Sequence, residues 1–123
     1  MELKSFENLE VWQQARKLVS AIYQMTLNDK IVRDYGLCSQ LQRAAVSIMS
    51  NIAEGFERIH LQEKIQFYNV ARASCGEVRS LLYVVEDSYP SLAQQASLLR
   101  KDAVSVGKLI TGLIQSTQRR KND

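Results

Sequence analysis

The chain has 123 residues, 46% hydrophobic and 24% charged, with one proline and five glycines. That is one ordinary globular domain, large enough to bury a core without disulfides or metals, and too poor in chain-breakers for a many-turned β protein. The net charge of +3 is mild, but it is unevenly spread: residues 1–87 carry −1, and residues 88–123 carry +4.

The first helix is expected over 8–27. Val11/Trp12, Ala15, Leu18/Val19, Ile22 and Met25 recur at the three-to-four spacing of one buried face, with Asn8 as a candidate N-cap. The polar Asn28-Asp29-Lys30 ends that pattern. A second helix is expected over 34–58, with a main stripe of Leu37, Leu41, Ala44/Ala45, Ile48 and Ile52. A second apolar line, Val46, Met49, Ala53 and Phe56, lies on another face and is a candidate subunit interface, since the edge of a monomeric bundle needs one stripe only.

The third helix is expected over 61–87. Ile65, Tyr68, Cys75, Val78, Leu82 and Val85 form one line that Arg72 and Arg79 interrupt. Ser88-Tyr89-Pro90-Ser91 turns the chain, proline suiting a first helical turn where its missing N–H has no partner. The fourth helix is expected over 91–117, with Leu92, Ala96, Leu99, Ala103, Val106, Ile110 and Leu113/Ile114 inward. Short connections between long helices make neighbours antiparallel. The expectation is therefore an all-α, up-down four-helix bundle over residues 1–118, followed by a frayed basic tail over 119–123.

Catalytic and metal motifs are sparse. His60 is the single histidine, so Glu57-Arg58-Ile59-His60 cannot supply the two Glu-x-x-His copies of a di-iron bundle within one chain. Glycine-rich phosphate loops and a Gly-x-Ser-x-Gly elbow are absent. Cys38 and Cys75 have no metal or redox spacing and read as buried thiols. The N-terminal residues do not form a signal peptide, and no apolar run reaches the roughly 20 residues of a membrane span. A cytoplasmic protein without cofactor, metal or catalytic activity is expected.

On the second helix Arg43, Ser47, Asn51 and Glu54 share a face. Arg72 and Glu77 on the third helix could meet them, Glu54 with Arg72 and Arg43 with Glu77, as a network that sets register. If that network is buried, removing Glu54 should cost about 3–5 kcal/mol. The basic excess of the fourth helix, Arg100, Lys101 and Lys108 with Arg119, Arg120 and Lys121, supplies candidate phosphate contacts. No aromatic-plus-basic platform for base stacking is evident from the sequence.

Phe6-Glu-Asn-Leu9-Glu-Val11-Trp12-Gln13 and the long run from Tyr35-Gly36-Leu37-Cys38 through Arg43-Ala44-Ala45-Val46-Ser47 to Ser50-Asn51-Ile52-Ala53-Glu54-Gly55 carry a resemblance, which Phe67, Ala71, Ser74 and Glu77 extend. Together they resemble the four-helix-bundle proteins of intervening sequences in 23S ribosomal RNA genes, over residues 6–117. Met49 stands where that family often has proline, so this helix is expected to run straighter. The resemblance implies a homo-oligomer, with a five-fold ring in relatives, no known enzymatic activity, and RNA or a ribonucleoprotein as partner. It also admits a different role, a protein–protein adaptor, because relatives include the accessory variability determinants that partner a retroelement reverse transcriptase.

Overall fold

The computed structural model describes residues 5–121, with side chains through Arg120. Four helices follow one another: α1 (Glu10–Thr26), α2 (Tyr35–Glu57), α3 (Leu61–Ser88) and α4 (Ala93–Lys121), with 3-10 turns at Phe6–Asn8 and Pro90–Leu92. There are no strands among the described residues. Each helix packs on the two beside it, α1 on α2 and α4, α3 on α2 and α4, and among the described residues the backbones of the diagonal pairs stay farther apart. With connections this short the neighbours are antiparallel, giving the up-down arrangement.

The apolar spacings become one continuous core. Leu18 and Ile22, Leu41, Ile48 and Ile52, Tyr68, Val78 and Leu82, and Ile110 are all buried in it. Two starts differ from the sequence expectation. Asn8 does not cap α1. It lies in the preceding 3-10 turn, and α1 begins after Leu9, while the Gln13 side chain donates back to the Glu7 carbonyl at 2.8 Å. The proline turn is a separate 3-10 element, so α4 proper starts at Ala93. At its other end α4 extends beyond the expected residue 117, through Arg119 and Arg120 to Lys121.

Polar groups fix the ends. The Asp34 carboxylate caps α2 by accepting from the Leu37 N–H at 3.3 Å, and its other oxygen accepts from the Tyr89 hydroxyl at 2.7 Å. One side chain thus ties the start of α2 to the α3–α4 turn. Lys64 caps the opposite end of α2, donating to the carbonyls of Phe56 at 2.7 Å and Gly55 at 3.4 Å, where a cation also suits the negative end of the helix dipole. α2 is a single helix through Met49. Gly55 is required where α2 and α3 approach: a Cβ there would stand 2.6 Å from Cε1 of Tyr68 and 3.1 Å from the Lys64 carbonyl oxygen.

Candidate functional site

The polar face of α2 resolves into two different arrangements. Ser47 and Asn51 do form a network, but with Ser74 of α3. The two serine hydroxyls are 2.8 Å apart, and Asn51 Nδ2 donates to the Ser47 carbonyl and hydroxyl at 2.8 and 3.0 Å. The charged members stay outside it. Arg43, Glu54, Arg72 and Glu77 are all exposed. Glu54 pairs within its own helix, with Arg58 at 3.2 Å, and neither Glu54–Arg72 nor Arg43–Glu77 forms an ion pair among the described residues. The reason is rotational. Arg72 lies on the side of α3 that faces α4, and Arg43 lies beside Tyr23 of α1.

The four apolar residues proposed for a subunit interface are also divided. Val46 is exposed, whereas Met49 and Phe56 are half-buried against the chain's own core and Ala53 is partly covered. Val70 and Val84, which fall on a second apolar line of α3 with Phe67, Ala71 and Leu81, add exposed apolar surface.

Among the basic residues of α4, Arg100 stands apart. Its Nε and Nη2 donate to the two carboxylate oxygens of Glu86 at 2.6 and 3.1 Å, and its guanidinium carbon sits 4.1 Å from the centre of the Tyr83 ring. That bidentate pair holds the Glu86 carboxyl below its ordinary range and pushes Arg100 up. Arg100 is a brace between α3 and α4 more than an open phosphate contact. Lys101, Lys108, Arg119 and Arg120 are exposed and enter no ion pair among the described residues. The spacing 101, 108, 115, 119 keeps Lys101, Lys108 and Arg119 on one outer line of α4. Arg120 turns toward α3, where burial lowers the Lys64 pKa and the Arg120 charge adds to that shift, while burial raises the Tyr68 pKa and the Arg120 charge opposes it. The side chain of Lys121, the last of the proposed basic contacts, lies outside the described residues.

The seam between α3 and α4 carries a cationic groove of about 250 Å³. Arg72, Arg79 and Lys108 line it, Gly76, Gly107 and Thr111 are among its other walls, and no carboxylate contributes. Arg72, Gly76, Arg79 and Tyr83 recur at i, i+4, i+7 and i+11, one line along α3. The signal was in the sequence, but it read as two interruptions of an apolar stripe. A larger groove of about 600 Å³ runs between α1 and α4, with Glu10 and Asp102 facing Lys17 and Lys108 over an apolar floor of Leu18, Ala21, Val106 and Leu109. Its mixed signs suit no single anion or cation.

Among the described residues, no three His, Cys, Asp or Glu side chains converge as metal ligands. Cys38 and Cys75 are buried free thiols, Cys38 donating to the Ile31 carbonyl at 3.3 Å. His60 is exposed, just ahead of α3. Among the described residues no helix is long and apolar enough to cross a membrane.

Comparison with known proteins agrees with this architecture. A protein from Bacteroides thetaiotaomicron VPI-5482, described as of unknown function from the S23 ribosomal protein family, superposes with a TM-score of 0.76 at 20% sequence identity, covering 85% of this chain and 97% of that one. At that identity the likeness is one of fold. No curated protein matches the sequence. The family model of the 23S rRNA-intervening sequence proteins matches residues 7–112, nearly the whole bundle, and the chain belongs to that family.

Proposed function

We propose that the chain is a non-catalytic, self-assembling scaffold that holds RNA or a ribonucleoprotein through phosphate contacts on the basic face of α4. The observation that carries this reading is the line of Lys101, Lys108 and Arg119 with Arg120 beside it, exposed and without ion-pair partners among the described residues. Lysine and arginine held by neighbouring carboxylates have little to offer a phosphate, whereas these four do. The family description, which refers to an intervening sequence of 23S rRNA, favours RNA as the polyanion. Self-assembly would repeat the +4 of residues 88–123 in every subunit and raise the local potential well beyond that of one chain. A homopentameric ring built on the outer face of α2, with Val46 at its centre and Val70 of α3 adding to it, is the assembly this reading favours.

Two measurements test it together. Light scattering after gel filtration gives the subunit number, and a monomer would overturn the scaffold. Fluorescence anisotropy of a labelled structured RNA, at low and physiological salt, tests the contacts. Binding should weaken with salt and be lost in the variant with Lys101, Lys108, Arg119 and Arg120 all changed to Ala. Absence of binding at low salt would sink the RNA reading and leave a protein-binding adaptor, such as an accessory subunit of a reverse transcriptase.

A further inference from the structure

We propose that the α3–α4 groove is the track of a single nucleic-acid strand, with Arg72, Arg79 and Lys108 on its phosphates and Tyr83 as a stacking platform for an unpaired base at one end. This rests on the reading of the protein as an RNA binder and names the residues and the strand form it would take.

The argument starts from the register of the two helices. A Cβ at Gly107 would meet Cβ of Cys75 at 3.9 Å, so residue 107 of α4 lies opposite residue 75 of α3. That places Lys108 across from the stretch between Arg72 and Arg79. The two arginines are seven residues apart on one face, about 10.5 Å along the helix axis at 1.5 Å per residue. Three cations over two helical turns, with glycines at 76 and 107 in the groove wall, leave room for a chain of phosphates to approach. No carboxylate lines the groove to repel them.

One turn beyond Arg79, Tyr83 is 50% exposed. Arg100 covers part of it and is itself clamped by Glu86. The side chain is therefore already ordered while the residue stays half exposed, which lowers the entropy lost when a base stacks on it. Val104, one turn from Arg100 and one turn from Lys108 along α4, is exposed as well. Cations that follow a backbone beside an aromatic face are the arrangement by which proteins hold single strands with little sequence preference. A duplex keeps its bases stacked on one another, so it can use the cations but not the ring.

The test is fluorescence anisotropy with a fluorescein-labelled oligouridine RNA and with a blunt RNA duplex of equal length. The proteins are wild type, Arg72→Gln/Arg79→Gln, Tyr83→Ala, Tyr83→Phe and, on the outer line of α4, Lys101→Ala/Arg119→Ala, each checked by thermal melting. The expected result is a loss of ten-fold or more in oligouridine affinity for Arg72→Gln/Arg79→Gln, with a shallower salt dependence. Tyr83→Ala should lose roughly five- to hundred-fold on oligouridine and little on the duplex, and Tyr83→Phe should bind as wild type. Wild-type affinity in Arg72→Gln/Arg79→Gln, with loss in the α4 variant, would overturn the groove assignment and leave the broader RNA reading intact. An unaltered oligouridine affinity in Tyr83→Ala, or equal losses on both probes, would overturn the single-strand assignment. Wild type that binds neither probe at low salt removes the RNA reading itself.

Discussion

Arg100 closes on Glu86 through two hydrogen bonds of 2.6 and 3.1 Å, joining residues fourteen positions apart across the α3–α4 turn. Both side chains are about one-fifth exposed, so the pair is neither a loose surface contact nor a fully buried one. Its fork geometry needs a guanidinium, and stacking on Tyr83 fixes the plane. Glu86→Gln keeps the shape and removes the charge, and it should melt at a lower temperature than wild type at pH 7. The carboxyl is held below its ordinary value of 4.5, chiefly by the Arg100 hydrogen bonds. Its contribution is therefore present above that value and lost as pH falls through the lowered one. Thermal melts of both proteins at pH 7 and pH 3 should show the difference narrowing in acid. Equal melting temperatures at pH 7 would show that the brace adds nothing to stability.

Gly55 and Gly112 should respond in opposite directions to the same change. Alanine is the better helix former by about 1 kcal/mol at an exposed interior position. Nothing lies within 4 Å of a Cβ at Gly112, so Gly112→Ala should stabilise by about 0.5–1 kcal/mol. At Gly55 the added methyl would press on the Tyr68 ring at 2.6 and 2.8 Å and on the Lys64 carbonyl oxygen at 3.1 Å. Tyr68 is 2% exposed and has little room to move. Overpacking of this kind costs about 1–3 kcal/mol, which outweighs the gain in propensity. Urea unfolding of the two variants beside wild type decides it, and a stabilised Gly55→Ala would mean that α2 and α3 can separate there at little cost.

The apolar spacing of the sequence was enough for the architecture, because a helix with one buried stripe has few ways to hide it. Leu41, Ala45, Ile48 and Ile52 of α2 all lie in the core where their period placed them. The polar residues were less legible. Spacing assigns a side chain to a face of its own helix, not to one neighbour over another. Arg72 could have turned to α2 or α4, and only the packed structure puts it on the α4 side. Glu86 stands beside Asp87 at the end of α3, and nothing local announces a partner fourteen residues away. Lys64 as a cap and Tyr83 beside Arg100 were hidden for the same reason.

That rotational ambiguity has a measurable consequence on α2. A buried Glu54 would have cost about 3–5 kcal/mol to remove. The Glu54 side chain is instead 56% exposed and pairs only with Arg58 one turn away. Pairs of that kind contribute about 0.3–0.5 kcal/mol, so Glu54→Ala should leave the melting temperature nearly unchanged. Ser74, 8% exposed and hydrogen-bonded to Ser47, is the more sensitive member of the face. Ser74→Ala should destabilise by about 1 kcal/mol through the lost hydrogen bond. If Glu54→Ala proves the more damaging of the two, the charged residue must acquire a buried partner in the assembled protein.

Burial also sets how the fold responds to alkali. Cys75 is 3% exposed and its thiol is pushed from 9.0 up to about 12, chiefly by burial, with the Arg79 charge opposing. Tyr68 is pushed from 10.0 to about 12 for the same reason, with Arg120 opposing. Both groups prefer to be neutral in the folded chain. Their contribution is fully present below the unfolded values and lost as pH rises through the folded ones, so stability should fall steadily between about pH 9 and 12. Urea midpoints at pH 8, 9.5 and 11 should decline in that order, and Cys75→Ala should flatten the first part of the decline. The same burial keeps the thiol protonated and shielded at neutral pH. A disulfide reagent such as Ellman's should therefore leave Cys75 unmodified in the native protein and react at once in 6 M guanidinium. Rapid native labelling would show that the α3–α4 seam, where Cys75 lies opposite Gly107, opens far more readily than its packing indicates.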